Sequence, residues 1–215
     1  MTVRVALVDD QAMFRAGIAL VIGSQPDLDV VGEASDGREA VALVTRTRPD
    51  VVIMDVQMPA VDGVAATRAL LSALGEDAPK VLVLTTFDLD ESAASAIEAG
   101  ASGFLLKAAE PDFLLAAIRA VASGNQVVAA GATRRLWERF RARPTSSPGP
   151  EYDALTARER EILVRAAEGL SNAEIAAVEV LAEGTVKVHV SRILGKLGLR
   201  DRVQLVVYAY EHGLV

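Results

Sequence analysis

The chain is expected to be α/β: a five-stranded parallel sheet with helices between its strands, followed by an all-α unit of four short helices forming a helix-turn-helix. Three observations carry this. Five short apolar runs, Val3–Val8, Val30–Glu33, Val51–Met54, Val81–Thr85 and Gly103–Leu106, alternate with longer helical patterns, as in successive βαβ units. Runs such as Val51-Val52-Ile53-Met54 are apolar throughout instead of alternating, as in strands buried on both faces. Beyond residue 150 the strand signal ends, and two capping boxes, Thr156 with Glu159 and Ser171 with Glu174, open helices.

In chain order, Asp36 with Glu39 and Asp88 with Glu91 also read as capping-box variants, and Pro111 suits the first turn of a helix, where no N–H is needed. Gly100 and Gly124 stand where helices should end. Ala132 to Arg143 fits a basic linker helix with Leu136, Trp137 and Phe140 on one side, and Pro144-Thr-Ser-Ser-Pro-Gly-Pro150 an extended linker. Helices are then expected at about Ala157–Glu168, Asn172–Val178, Glu183–Leu197 and Arg202–His212. The resulting division is 1–125, a linker at 126–152, and 153–215.

Composition narrows the function. At 215 residues with 51% hydrophobic and 24% charged residues, the chain has material for two folded cores. It contains no cysteine, which removes disulfides, thiolate nucleophiles and thiolate metal sites. No apolar run approaches membrane-spanning length and no signal peptide is evident, so a cytoplasmic protein is expected. The net charge of −7 is unevenly spread. Residues 1–133 with 144–150 carry −9, residues 134–143 carry +4, and residues 151–215 carry −2. Within the last part, Lys187, Arg192, Lys196, Arg200 and Arg202 face only Asp201.

The chemistry concentrates at strand ends. Asp9 and Asp10 follow the first apolar run and Asp55 follows the third, the carboxyl-end position where α/β sheets hold their sites. Three acids drawn together repel one another unless a cation is bound, and an oxygen-only set with room for water suits Mg²⁺. Most strand-end aspartates only cap helices or meet solvent. Thr85 and Lys107, ending two further strands, tip the balance towards function. A carboxylate such as Asp55 can accept a phosphoryl group as an acyl phosphate. Lys107 supplies a counter-charge and Thr85 a hydrogen bond, with Thr86 as its rival.

These residues, together with Met58-Pro59 and Asp62-Gly63, resemble the receiver domain of bacterial two-component response regulators, and Leu155 to Val215 resembles the helix-turn-helix of the NarL/LuxR class. The resemblance implies a flavodoxin-like sheet and phosphorylation of Asp55 by a sensor histidine kinase. It implies Mg²⁺ on Asp10, Asp55 and the backbone carbonyl of Gln57, with Asp9 acting through water. It prefers Thr85 to Thr86 and makes Phe104 the switch aromatic, a position otherwise readable as plain strand core. Where many receivers have Pro after the lysine, this chain has Ala108.

A helical wheel of 183–197 puts Val186 and Ile193 towards the core and Thr185, Val188, Ser191, Arg192 and Gly195 opposite, with Lys187 and Lys196 flanking. Isolated surface bases usually belong to a solvated face, but the third helix of a capped trihelical unit is placed to enter the major groove. The resemblance assigns base contact to Lys187, Val188 and Ser191. Arg192 and Lys196 are candidates for base or phosphate contact, and His189 for phosphate contact. Val203, Val207, Tyr210 and Leu214 recur at three- and four-residue spacing, a candidate dimer stripe or else plain core. Ala182 and Glu179 depart from the family's usual cap and Leu. Glu179 shares a helical face with Ile175, so it is expected either buried without a partner, with Glu179→Leu stabilising, or released by an early helix end to meet solvent or an Arg.

The expected function is phosphorylation-controlled transcription regulation by a homodimer on two DNA half-sites. The alternatives are a phosphohydrolase, which lacks a general acid because Gln57 stands two residues after Asp55, or a DNA-binding regulator whose first domain only mediates contacts.

Overall fold

The computed structural model describes residues 2–86, 91–124, 127–128 and 147–215, in two units, 1–133 and 134–215. In the first, strands β1 (Val3–Val8), β2 (Leu28–Ala34), β3 (Val51–Asp55), β4 (Lys80–Thr85), β5 (Gly103–Leu106) and β6 (Val127–Val128) form one parallel sheet in the order β2-β1-β3-β4-β5-β6. The five expected strands are present. The sixth pairs Val127 with Gly103 and Val128 with Phe104, and two residues are too few to leave a sequence signal.

Helices α1 (Ala12–Gly23), α2 (Ala40–Thr47), α3 (Gly63–Leu74), α4 (Glu91–Glu98) and α5 (Pro111–Ala122) connect the strands. Alternate strand residues Val5, Leu7, Val51, Ile53, Leu82, Leu84 and Leu105 pack with Ile18 and Ile22 of α1 and Leu114, Leu115, Ile118 and Val121 of α5. Their neighbours Ala6, Val8, Val52, Met54, Val83 and Phe104 are equally buried on the opposite face, since strand side chains alternate. Burial on both faces explains the unbroken apolar runs, each Val, Leu or Ile contributing about 1.5–3 kcal/mol.

The order also positions the site. β1 lies between β2 and β3, so the chain direction switches across the sheet at the β1–β3 pair, and ligands of such sheets bind outside the strand ends there. Val8 is in register with Met54, which sets Asp9 beside Asp55. On the far side Thr85 is in register with Leu106, next to Lys107.

Punctuation follows the sequence with one exception. Gly100 and Gly124 adopt φ of 101° and 82°, and Pro111 occupies the first turn of α5. Asp36, expected to share a reciprocal box with Glu39, instead accepts the Arg38 N–H at 2.8 Å over a 3₁₀ turn, Gly37–Glu39. Its carboxylate is taken up by the Arg38 guanidinium as well. The Asp88–Glu91 cap and the 132–143 linker helix lie outside the described residues.

The second unit contains α6 (Pro150–Asp153), α7 (Ala157–Ala167), α8 (Asn172–Glu179), α9 (Glu183–Leu197) and α10 (Arg202–Glu211). Both capping boxes form in full, Thr156 with Glu159 and Ser171 with Glu174. Leu155, Ile162, Leu163, Ile175, Val186, Val190, Ile193, Leu205 and Ala209 make its core. Helix α6 was not expected from the sequence. Pro150 starts it, Tyr152 packs on the core and stacks against Arg160 at 4.6 Å, and Glu151 meets the Tyr208 hydroxyl at 3.4 Å.

Candidate functional site

At the end of β3, Asp55 is 1% exposed and its Oδ1 accepts the Gln57 N–H at 3.2 Å. The chain then loops to α3, where Gly63 donates its N–H to Val56 O at 2.9 Å. A Cβ on Gly63 would stand 1.9 Å from the Asp55 carbonyl oxygen, so only glycine lets α3 start this close. Asp62 caps that helix through Ala65 N. The Asp62-Gly63 pair therefore shapes the loop behind the acid.

Asp9 is held from two sides. Its Oδ1 accepts the Gln11 N–H at 2.8 Å and its carbonyl accepts Arg15 Nη1 at 2.6 Å. The Lys107 ammonium donates to Asp55 Oδ2 at 2.8 Å and lies 2.7 Å from Asp9 Oδ2. It is enclosed, its side chain 6% exposed, with the Phe14 ring 4.6 Å from the nitrogen. Burial pushes the Asp55 pKa up; the Lys107 hydrogen bond opposes this and the Asp9 charge adds to it. Burial also works against the Lys107 charge, but its contacts with Asp55 and Asp9 outweigh that and raise its pKa.

Ligand oxygens of Asp9, Asp10 and Asp55 all lie within 4.8 Å of one another. One lysine serves both Asp9 and Asp55, and the buried Asp10 Oδ1 has no hydrogen-bond donor. Oxygen-only ligands, a local excess of negative charge and an orphaned acceptor on Asp10 fit a hard divalent cation.

Thr85 is 1% exposed at the end of β4, and its carbonyl accepts the Lys107 N–H at 2.7 Å. The rival hydroxyl, Thr86 Oγ1, lies 3.4 Å from Gln57 Oε1. Phe104 is fully buried, its ring inside the fold. Phe14 and Arg15 were not read from the sequence. Their only signal was position, five and six residues after Asp9 in the first turns of α1.

On α9, Thr185, Lys187, Val188, Ser191 and Arg192 are exposed while Val186, Val190, Ile193 and Leu197 are buried. Lys187 and Arg192 have no ion pair among the described residues. His189 is half-buried, and its Nδ1 has no hydrogen-bond partner.

The structure decides three expectations for this unit. Lys196, expected at DNA, binds Glu159 Oε2 at 2.7 Å and Ala154 O at 3.0 Å, because the flank of the wheel it occupies faces α7. That contact, with the Thr156 cap and against burial, holds the Glu159 carboxyl down at about 2. Arg202 likewise binds Asn172 Oδ1 and Leu170 O. The basic cluster thus divides, and Lys187 and Arg192 remain for a partner.

Glu179 is not buried alone; it takes the second expected course and meets arginine where the helix ends. Helix α8 ends at it, Val180 turns left-handed at φ 53°, and the Glu179 carboxylate meets Arg158 Nη1 at 2.5 Å and Arg165 Nε at 3.1 Å. Arg158 also donates to the Glu179 carbonyl at 2.7 Å. The Arg165 contact, with Arg158 and against burial, lowers its pKa, opposite to the shift expected of an unpaired buried acid.

The dimer stripe is covered. Val203, Val207 and Tyr210 are buried, and Leu214 packs on the helical core. Helix α10 is apolar on nearly all sides, so its recurrence does not mark an exposed face.

Residues 5–119 match the response regulator receiver domain, and residues 153–209 match the luxR family of bacterial regulatory proteins. The chain is 44% identical, over 99% of its length and 97% of the relative's, to the uncharacterized transcriptional regulatory protein YxjL of Bacillus subtilis. It is 39% identical, over 99% of each, to the transcriptional regulatory protein LiaR of the same organism. The solved structure of ChrA, a response regulator in a heme-sensing two-component system, covers 100% of this chain and 99% of its own, with 38% identity and a TM-score of 0.54. The chain belongs to the bacterial two-component response regulators, a receiver domain joined to a luxR-family helix-turn-helix.

Proposed function

We propose that Asp55 is the phosphoacceptor of this transcription regulator and that its phosphorylation controls DNA binding by α9. The observation that carries the reading is the Lys107 ammonium set between Asp9 and Asp55 beside the unpartnered Asp10 Oδ1. An Asp55 oxygen attacks the phosphorus of a sensor histidine kinase's phosphohistidine or of a small phosphodonor. The bond to the leaving group breaks, that group keeps the electron pair, and an acyl phosphate remains. Asp9, Asp10, Asp55 and the Gln57 carbonyl are the groups to hold Mg²⁺. Bound there, the ion offsets negative charge on the transferring phosphoryl group. Lys107 turns from a carboxylate to a phosphoryl oxygen, and Thr85 supplies a hydroxyl donor. Phe104 follows, shifting a two-state equilibrium.

In the reader, Lys187, Val188 and Ser191 contact base edges, while Thr185, Arg192 and His189 serve the backbone. A two-fold dimer on two half-sites supplies affinity that one short helix lacks. Because Val203, Val207 and Tyr210 are covered, dimerisation through α10 requires the active state to uncover them. The reading implies a cytoplasmic regulator with slow self-dephosphorylation and no turnover of outside substrates, Gln57 standing where a second acid would be needed.

Intact-mass measurement after treatment with acetyl phosphate and Mg²⁺ tests the acceptor. One phosphoryl group should appear on the wild type and none on Asp55→Asn; modification of the variant would move the site elsewhere. Footprinting at the chain's own promoter, with and without phosphodonor, tests control. Arg192→Ala should weaken binding to all sequences and reduce the salt slope by about one.

A further inference from the structure

We propose that Phe14 is a positioning residue for Lys107, closing the one side of its ammonium that the carboxylates leave open. The proposal rests on the reading of Asp55 as phosphoacceptor. An ammonium has three N–H donors. One donates to Asp55 Oδ2 at 2.8 Å and a second points to Asp9 Oδ2, 2.7 Å away. The Phe14 ring, centred 4.6 Å from Nζ, faces the remaining side. A ring face attracts a cation electrostatically, most strongly where water is excluded, and this side chain is 6% exposed.

The location of Phe14 makes this more than incidental packing. It sits on α1 in the wall of an open cavity of about 580 Å³ that is lined also by Met13, Ile18, Pro111, Leu114 and Lys107 itself. Without the ring, that cavity would widen on the flank of the ammonium that Phe14 now covers. Lysine is a strongly hydrated point charge on a four-carbon stem, and in open water it would leave the carboxylates for solvent. With the ring in place, the positions open to it are carboxylate oxygens or a phosphoryl oxygen on Asp55. Phe14 therefore favours the geometry in which Lys107 meets the incoming group and keeps water off that flank of the acyl phosphate.

Three variants of the full chain test this: Phe14→Leu, which keeps apolar volume without the ring face; Phe14→Tyr, which keeps the face; and Phe14→Ala, which opens the cavity. Before any phosphodonor is added, NMR of side-chain-labelled lysine should show the Lys107 methylene protons shifted by the ring in the wild type and Phe14→Tyr. The shift should vanish in Phe14→Leu. With acetyl phosphate and Mg²⁺, Phe14→Leu should be phosphorylated roughly tenfold more slowly, the scale of a desolvated cation–π contact. Phe14→Tyr should restore the rate, and Phe14→Ala should also shorten the acyl-phosphate lifetime. Wild-type rate and lifetime in Phe14→Leu, despite a lost ring shift, would overturn the positioning role while leaving the acceptor assignment intact. If the wild type itself accepts no phosphoryl group at Asp55, the underlying reading fails and the NMR shift still reports whether Phe14 covers Lys107.

Discussion

The two units use buried charge in opposite ways. Around Asp55 three carboxylates cluster with one lysine between two of them, Asp10 Oδ1 lacks a hydrogen-bond donor, and burial pushes the Asp55 pKa up. In the reader two acids are matched by bases: Glu159 has Lys196, and Glu179 has both Arg158 and Arg165. These acids are shifted down. An acidic group left short of positive charge is poised to take a cation or a phosphoryl group; one fully matched is already spent on holding helices together. The same test separates the bases. Lys196 and Arg202 belong to the basic cluster in the sequence but pair with acceptors of their own unit, whereas Lys187 and Arg192 are exposed without an ion pair among the described residues.

The largest expected effect comes from removing the lysine on each side. Lys107→Met should destabilise the receiver by about 3 kcal/mol in EDTA, since a buried pair loses its cation, and Mg²⁺ should recover part of the loss. Lys196→Met should cost about 2 kcal/mol, less because the lysine is partly exposed, and Mg²⁺ should make no difference. Denaturant titrations of the full chain, with EDTA and with Mg²⁺, measure both. Equal Mg²⁺ responses in the two variants would erase the contrast.

Next comes the pH dependence of Glu159. Its folded-state pKa of about 2 lies below the ordinary carboxylate value of 4.5. The unfolded state therefore binds the proton more readily, and the pair's stabilisation is present above pH 4.5 and lost as pH falls towards 2. The loss should amount to roughly 2–3 kcal/mol. Over the same range Glu159→Gln should have a correspondingly flatter profile, and two parallel profiles would remove the Lys196–Glu159 pair as their cause.

Glu179→Leu is expected to lower the melting temperature at pH 7, the reverse of what a buried, unpaired acid would give. Because the folded pKa is depressed, the deficit should shrink as pH falls through it. A higher melting temperature for Glu179→Leu would mean that the two arginines do not engage the carboxylate in solution. The smallest effect belongs to Val180. It is 90% exposed, and its left-handed φ is unfavourable for a β-branched residue. Val180→Gly should stabilise the reader by about 1 kcal/mol in the same melts, and a loss of stability would show that the turn is unstrained.

Much of this was legible before any coordinates. The five long strands were readable because burial on both faces leaves unbroken apolar runs, and both reader caps because the capping box is a local reciprocal pattern. Asp9, Asp10 and Asp55 stood out because Thr85 and Lys107 end two further strands and parallel strand ends share one edge. Sequence periodicity also assigned Val186 and Ile193 to the core. Only the tertiary structure decided which partner each remaining charge would find. Lys196 lies 37 positions from Glu159, and Glu179 lies 21 from Arg158; no local spacing rule reaches that far. Phe14 beside Lys107 depends on β1 and β5 ending at the same edge of the sheet. The burial of Val203, Val207 and Tyr210 could not be read from a helix whose apolar residues point several ways. Local patterns follow from backbone geometry within a few residues, whereas charge pairing and burial follow from which elements the fold brings together.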